Sequence, residues 1–320
     1  MLWVKLLFRK FRGSSSSNMA SVTIKRYNSN RTLKKLKPMI LKRIEGREKD
    51  YPVPCLIPVA QEVLQARNNL ISGVTILMKF FPVLTCKFCP EVYLGEQGHL
   101  IRTCQGYRRR SRVKLPHMWV PGSLTDILVP VEAFHLTHMF QDIIKHEQRF
   151  DIDRVSAVVE LCTQAGANLT ERNDFIEMGS PESTMEMAEL ANKTLKSWEM
   201  IRSGIARLLM AYPVKVCACC GEVHVGPSGH RARLCGVFKY ERWRAYHYWK
   251  RAGVDDLVPK KIVWIRRPQD PLVLVDEGKT FYGHAPAVVD LCAKGGACVP
   301  KKYASLIKGF GLTPPLNVDF

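Results

Sequence analysis

Cysteine and histidine residues recur in one spaced pattern at two places in this chain. The pattern is C-x2-C-x9-H-x4-C, and its two copies are Cys86, Cys89, His99 and Cys104, and Cys217, Cys220, His230 and Cys235. Three thiolates and one imidazole form a donor set that zinc binds tetrahedrally, and a closed set of four leaves no position for water. The spacing therefore predicts two structural Zn²⁺ ions, one in each copy, and no catalytic metal.

Other interpretations of the cysteines and histidines stay open at the level of sequence. An iron–sulfur cluster also uses cysteine-rich ligation, although a histidine among the ligands and a hairpin context favour zinc. His117 and His247 could suggest a metal-dependent nuclease, but no carboxylate pair or asparagine is placed consistently near both. Cys162 and Cys292 match each other within apolar helical stretches and are interpreted as core residues.

The predicted secondary-structure elements that position these ligands also occur twice in the sequence. An apolar helical spacing precedes each CxxC and ends at Pro82 or Pro213. A CxxC turn, a short β-hairpin and a basic segment follow, and AVVELCTQAGA from Ala157 or AVVDLCAKGGA from Ala287 closes the copy with a helix. This self-similarity predicts an α+β fold of two tandem homologous small zinc-stabilised domains, each helix–CxxC–β-hairpin–helix.

Charge and composition along the chain predict its organisation. No Asp or Glu precedes Glu45, and the Arg-rich amphipathic start MLWVKLLFRKFRGSSSS is typical of an organelle transit peptide, mitochondrial or alternatively chloroplast. The longest apolar run is interrupted by Lys79 and Pro82, which predicts no membrane span. The predicted segments are a mitochondrial transit peptide at 1–30, a basic extension at 31–67, the first domain at 68–170, an acidic linker and helix start at 171–197, the second domain at 198–305 and a tail at 306–320.

A formal net charge of +19 indicates a polyanionic partner, a transit segment, or both. Basic residues follow both metal patterns and are interleaved with aromatic residues after the second. Lysine and arginine attract phosphates, and exposed aromatic faces stack on unpaired bases, so single-stranded or irregular RNA fits this surface. The alternative is that the aromatic residues pack in the core and the arginines are merely solvated. The predicted RNA-binding residues are Arg108, Arg109, Arg110, Arg112, Lys114, Lys239, Arg242, Trp243, Arg244, Lys250 and Arg251.

Several of these features together resemble the plant APO family, named for accumulation of photosystem one. They are the two CxxC–EV–G–GH–C units, the paired words DILVP and DDLVP, the AFH of Ala133 to His135, Arg149-Phe150, and AVVELCTQAGA. The resemblance implies an organelle protein with two APO domains, zinc-dependent RNA binding and support of group II intron splicing, with the eight residues above as zinc ligands. Counted from the shared LVP, the second copy departs from AFH and has Trp264 in place of His135.

The expected function is that of a non-catalytic, zinc-dependent RNA-binding protein in mitochondria, with RNA and possible splicing factors as partners. The sequence has no P-loop, nucleophile elbow, dinucleotide fingerprint or HExxH motif, and we predict no enzyme activity and no small-molecule substrate. The alternative functions are a metal-dependent nuclease and an iron–sulfur cluster assembly or carrier protein.

Overall fold

A computed structural model of the protein describes residues 48–102, 104, 116–140, 144, 150–168, 181–230, 247–266, 270–279 and 282–303, with isolated positions 38, 39, 42 and 46. The predicted transit peptide at 1–30, the tail at 306–320 and most of both basic segments lie outside the described residues. None of the described helices is both long enough and apolar enough to cross a bilayer.

The regular elements follow one another in the same order in both repeats. The first repeat contains α1 (Ile57–Phe80), β1 (Val83–Cys86), β2 (Val92–Leu94), β3 (Trp119–Pro121), α2 (Leu124–Ile127), β4 (Glu132–Phe134), β5 (Arg154–Ser156) and α3 (Ala157–Gln164). The second contains α4 (Thr184–Ala211), β6 (Val214–Cys217), β7 (Val223–Val225), β8 (Trp249–Arg251), α5 (Val254–Leu257), β9 (Ile262–Ile265), β10 (Gly283–Pro286) and α6 (Ala287–Lys294). The predicted α+β class and the duplication are confirmed.

Local sequence explains where the two long helices begin and end. Ser183 caps α4, because its side chain accepts a hydrogen bond from the amide of Glu186 at 3.2 Å. Phe81 and Tyr212 follow the two helices in extended conformation. Each of them precedes a proline, and the residue before a proline disfavours helical geometry. The chain therefore leaves both helices directly into the first strand of a sheet.

The long helices α1 and α4 pack closely against each other. A Cβ atom on Gly73 would lie 2.0 Å from Oγ1 of Thr194, and one on Gly204 would lie 2.3 Å from Cγ2 of Val63. Any larger residue at either position would force the helices apart, since packed interiors have little free space. Each repeat thus contributes one glycine to the same helix–helix contact.

The sheets show that the two repeats interlock. Strand β1 pairs antiparallel with β2 and β3, and β6 pairs in the same way with β7 and β8. Strand β4 of the first repeat pairs in parallel with β7 of the second through Ala133 and Val223, which gives the strand order β5-β4-β7-β6-β8. In the other direction, β9 pairs with β10 and packs against β2 of the first repeat.

The two interlocked repeats share one hydrophobic core. Residues Glu48–Phe320 form one compact unit. Its core combines α1 and α3 of the first repeat with α4 and α6 of the second, and Leu77, Leu161, Leu208 and Leu291 are all completely buried in it. A core shared between repeats means that neither repeat buries its apolar surface alone.

Strand pairing also corrects one residue correspondence between the repeats. Ala133 pairs with Val155 in the first repeat, and Val263 pairs with Ala285 in the second. Trp264 therefore occupies the place of Phe134, not that of His135. The words DILVP and DDLVP misalign the repeats by one residue, because they occupy different positions relative to the short helices α2 and α5.

Candidate metal centres

The first candidate metal centre, called here the first cluster, consists of Cys86, Cys89, Cys104 and His117. One ligand atom from each residue lies within 4.8 Å of all the others. The Sγ atoms of Cys86 and Cys104 are 3.7 Å apart, and Sγ of Cys89 is 3.5 Å from Nδ1 of His117. Three thiols and one imidazole nitrogen therefore converge on one point.

Strand pairing explains why these residues meet. Cys86 ends β1 and pairs with Trp119 in β3, which places His117 beside the CxxC turn. The turn is closed by a hydrogen bond from the amide of Cys86 to the carbonyl of Glu91 at 2.9 Å. The amide of Lys87 donates to the carbonyl of Met118 at 2.8 Å and fixes the turn against the residue after His117.

The second cluster repeats this arrangement with Cys217, Cys220 and His247. Sγ of Cys220 lies 3.5 Å from Nδ1 of His247, the same distance as in the first cluster. Cys217 pairs with Trp249, and the amide of Ala218 donates to the carbonyl of Tyr248 at 2.9 Å. Cys235, the predicted fourth member, lies outside the described residues.

The spacing of the ligand atoms fits a single tetrahedral ion. Bonds of about 2.3 Å to sulfur and about 2.0 Å to nitrogen require sulfur–sulfur edges of about 3.8 Å and sulfur–nitrogen edges of about 3.5 Å. The observed edges are 3.7 Å between Cys86 and Cys104 and 3.5 Å for each cysteine–histidine pair. These residues fit zinc in both type and distance.

The structure does not place the predicted ligands His99 and His230 with the thiols. Both are buried, with 1% and 2% of their surfaces exposed. His99 lies behind His117, with Nε2 2.8 Å from Oε1 of Glu91. His117 and His247 are the histidines that face the cysteines in the two clusters.

A glycine and a tryptophan in each repeat hold the two buried histidines in place. Trp119 donates from Nε1 to the carbonyl of His99 at 3.1 Å, and Trp249 donates to His230 at the same distance. The glycine before each histidine, Gly98 or Gly229, leaves space for the indole, since an added Cβ would lie 2.1 Å from the ring. These glycines thus make room for tryptophan instead of bending the histidine back to the CxxC.

A glutamate connects the two histidines of each repeat. In the first repeat, Oε2 of Glu91 lies 2.9 Å from Nε2 of His117, while Oε1 lies 2.8 Å from His99. In the second repeat, Glu222 lies 3.6 Å from His247 and 3.8 Å from His230. A carboxylate on the far nitrogen of a metal-binding imidazole fixes the orientation of the ring and raises its basicity.

Comparison with known proteins identifies the family. The sequence model of the family described as APO RNA-binding matches residues 19–174 and 177–307. The chain belongs to the APO RNA-binding family. Its Arabidopsis thaliana relatives include APO protein 2, chloroplastic, which is 36% identical over 296 residues that cover 80% of this chain and 67% of the relative. The predicted family is thereby confirmed.

Two further Arabidopsis thaliana relatives come from different organelles by name. APO protein 1, chloroplastic, is 34% identical over 321 residues, covering 86% of this chain and 73% of that protein. APO protein 3, mitochondrial, is 33% identical over 323 residues, covering 89% of this chain and 80% of that protein. No solved structure matches this APO chain.

Hydrogen bonding favours an ionised thiol in each APO cluster. Burial raises the pKa of Cys86, but hydrogen bonds from the amide of Phe88 and from His117 outweigh it and lower the pKa to about 6. Burial also raises the pKa of Cys217, but hydrogen bonds from the amide of Cys220 and from His247 outweigh it and lower the pKa to about 6. Because the thiolate is the form that binds metal, these shifts suit ligation.

The carboxylate behind the first cluster also stays charged. Burial raises the pKa of Glu91, but the imidazoles of His117 and His99 outweigh it and hold the pKa well below its ordinary value. The pKa of His117 is raised in turn, since its contact with Glu91 outweighs the effect of burial. The negative charge on one side of the imidazole complements a cation bound on its other side.

Four other cysteines lie outside the clusters, and two of them are core residues. Cys162 in α3 and Cys292 in α6 are completely buried, and burial raises the pKa of each to about 12. The interpretation of this pair as core residues is confirmed. Cys55 and Cys298 are exposed and have no counterpart in the other repeat.

Of the predicted RNA-binding residues, the structure describes Lys250 and Arg251, both exposed on β8. Arg251 uses Nη2 to donate to the carbonyl of Leu209 at 2.6 Å. The others lie outside the described residues: Arg108, Arg109, Arg110, Arg112, Lys114, Lys239, Arg242, Trp243 and Arg244.

Sequence reasoning missed the part that His117, His247, Glu91 and Glu222 play in the two APO clusters. All four recur between the repeats as His-x-Trp and Glu-Val, so the signal was present. Recurrence alone could not rank two histidines per repeat, because the choice depends on the pairing of β1 with β3 and of β6 with β8.

Proposed function

We propose that this protein is a non-catalytic, zinc-dependent RNA-binding protein that supports group II intron splicing in mitochondria. The observation that carries the proposal is the convergence of three thiols and an imidazole at the edge lengths of a zinc tetrahedron. We assign the ligands of the first ion as Cys86, Cys89, Cys104 and His117, and those of the second as Cys217, Cys220, Cys235 and His247.

This ligand set gives a physical reason for zinc-dependent RNA binding. Cys104 and His117 belong to the same cluster, and the basic residues from Arg108 to Lys114 lie between them in sequence. One ion then holds both ends of the basic segment, which lowers the entropy that the segment loses when it binds a phosphate backbone. In the second repeat, Cys235 and His247 flank the corresponding basic segment in the same way.

Exposed side chains beside the clusters add a second element of RNA recognition. Phe88 lies between the two cysteines of the first CxxC and is 45% exposed, and Tyr248 follows His247 and is 70% exposed. Lys87 precedes Phe88, Lys250 lies two residues after Tyr248, and both lysines are exposed. Aromatic faces that are accessible beside cations suit stacking on unpaired bases of RNA.

Family relatives and the amino-terminal sequence support an organellar location. The names of the relatives divide between chloroplastic and mitochondrial proteins. We assign this chain to mitochondria because of the acid-free amphipathic sequence at residues 1–30, with the chloroplast as the alternative. Group II intron RNA and other splicing factors are the partners that the family resemblance implies.

Four protein ligands on one ion explain why we assign no catalytic role. Metal-assisted hydrolysis needs an open coordination position for water, and a closed set of three thiolates and one imidazole offers none. The edge lengths also suit one ion rather than a cluster of several irons. A nuclease and an iron–sulfur protein are therefore the outcomes that would contradict the proposal.

The test compares Cys86→Ser with Cys55→Ser, a matched change at an exposed cysteine without a repeat counterpart. The wild type and Cys55→Ser are expected to carry two zinc ions per chain and to bind RNA equally. Cys86→Ser is expected to carry one zinc ion and to bind single-stranded RNA at least tenfold more weakly, because structural zinc contributes its binding free energy to folding. Elemental analysis and fluorescence anisotropy measure the two quantities.

Three results would contradict this proposal. They are a wild-type chain without zinc, a visible absorption spectrum typical of iron–sulfur clusters, and unchanged RNA affinity after a chelator has removed the zinc. Magnesium-dependent cleavage of labelled RNA by the wild type would instead support a nuclease. Sequencing of the RNA that co-purifies with the protein from mitochondria tests the assignment to group II introns.

A further inference from the structure

We infer that each metal centre is held in place by side chains from the other repeat, so that Trp264 positions the first cluster and Arg154 positions the second. This inference rests on the metal binding proposed above. It concerns positioning residues, since neither side chain lies among the ligand atoms. It predicts that changing one repeat alters metal affinity in the other.

The first cluster receives its support from β9 of the second repeat. Trp264 donates a short hydrogen bond from Nε1 to Oε1 of Glu91, and its ring lies 5.7 Å from that of His99. Nζ of Lys261 donates to the carbonyl of Pro90, the residue after Cys89. Three groups next to the first cluster are thus contacted from β9 of the other repeat and from the residue that precedes it.

The second cluster receives equivalent support from β4 and β5 of the first repeat. Arg154 donates from Nη2 to Oε1 of Glu222 at 3.1 Å, and its guanidinium lies 3.9 Å from the ring centroid of Phe134. Phe134 in turn lies 5.1 Å from the ring of His230. Because Phe134 corresponds to Trp264, the same strand of each repeat covers the buried histidine of the other.

These contacts can affect metal binding through the glutamates. Glu91 lies between Trp264 and His117, and the carboxylate behind His117 keeps Nδ1 directed at the thiols. Loss of a partner behind a metal-binding histidine typically weakens metal affinity by about 10- to 100-fold. Trp264 lies one contact further out than Glu91, so we expect its loss to weaken zinc binding less than the loss of Glu91 does.

The test uses the full chain and measures zinc affinity at each site by competition with a chromophoric chelator. Trp264→Phe is expected to weaken zinc binding at the first cluster by up to about tenfold and to leave the second cluster unchanged, because Trp264 acts through Glu91. Arg154→Ala is expected to weaken zinc binding at the second cluster, by about tenfold. NMR spectra of the ¹¹³Cd-substituted chain show which of the two cadmium resonances shifts in each variant. The resonance that is lost in Cys86→Ser belongs to the first cluster.

Matched controls separate positioning from general destabilisation. Trp198→Phe alters a buried tryptophan of α4 that bonds Tyr303, and Arg202→Ala alters an arginine paired with Asp255. Both controls are expected to keep wild-type affinity at both sites. The side chain of Arg154 is 37% exposed, so its variant is expected to fold and carries the test even if Trp264→Phe does not.

Two results would overturn the inference. One is wild-type affinity at both sites in folded Arg154→Ala, and the other is an equal loss at both sites, which would indicate a general effect on stability. Failure of the proposed function looks different, because the wild-type chain would then bind no zinc in the same assay.

Discussion

The two cysteine–histidine clusters share the one inner distance that can be compared between them and differ in their surroundings. The cysteine–histidine distance is 3.5 Å in both. Behind the histidines, Glu91 lies within 2.9 Å of both imidazoles, whereas Glu222 lies 3.6 and 3.8 Å from the corresponding imidazoles and accepts a hydrogen bond from Arg154. The arrangement of cysteine and histidine therefore recurs in both repeats, whereas the contacts around it differ.

The largest expected effect concerns which histidine binds the metal of the first cluster. We expect His117→Asn to lose one zinc ion per chain, because the imidazole is one of the four donors. His99→Asn is the matched control and is expected to keep two zinc ions, with lower affinity at one site. Native mass spectrometry counts the ions, and loss of an ion from His99→Asn but not from His117→Asn would reverse the ligand assignment.

A smaller effect should separate the two glutamates. Glu91→Gln keeps the shape of the side chain but removes its charge, and we expect about 10- to 100-fold weaker zinc binding at the first cluster. Glu222→Gln should have a smaller effect at the second cluster, since its contacts with the imidazoles are longer. Chelator competition measures both zinc affinities. Equal losses would show that the longer glutamate–histidine distances in the second cluster do not reduce the contribution of Glu222 to zinc affinity.

The last prediction concerns stability at a position next to the clusters where the repeats differ, Tyr93 and His224. Burial lowers the pKa of His224 to about 4, and its Nδ1 has no hydrogen-bond partner among the described residues. Since an exposed histidine has a pKa of about 6.5, the native state binds this proton less well than the unfolded state does. Its contribution to stability is complete above about pH 6.5 and is lost as the pH falls toward about 4.

The corresponding measurement is urea unfolding of the zinc-loaded chain at pH 7 and pH 5. We expect His224→Tyr, which installs the residue of the first repeat, to lose about 2 kcal/mol less stability than the wild type between these values. Zinc loss in acid affects both proteins, so the difference between them isolates His224. An identical pH dependence of the two proteins would contradict this prediction.

Features that each repeat encodes in short stretches of sequence could be predicted from the sequence. The cysteines, the long helices ending before Pro82 and Pro213, and the α+β class all follow from short spacings. Features that depend on distant pairing were not accessible. The choice of His117 over His99 follows from the pairing of β3 with β1, and the role of Trp264 follows from contacts between repeats that no local pattern encodes.

The parallel pairing of β4 with β7 has a consequence for a polypeptide that contains only one copy of the repeat. A polypeptide with one copy of this repeat would lack the strands that cover its own metal site, and a second molecule of the same kind could supply them. Such an exchange is the geometry of a twofold homodimer with swapped elements. In this protein the two copies supply these strands to each other within a single polypeptide.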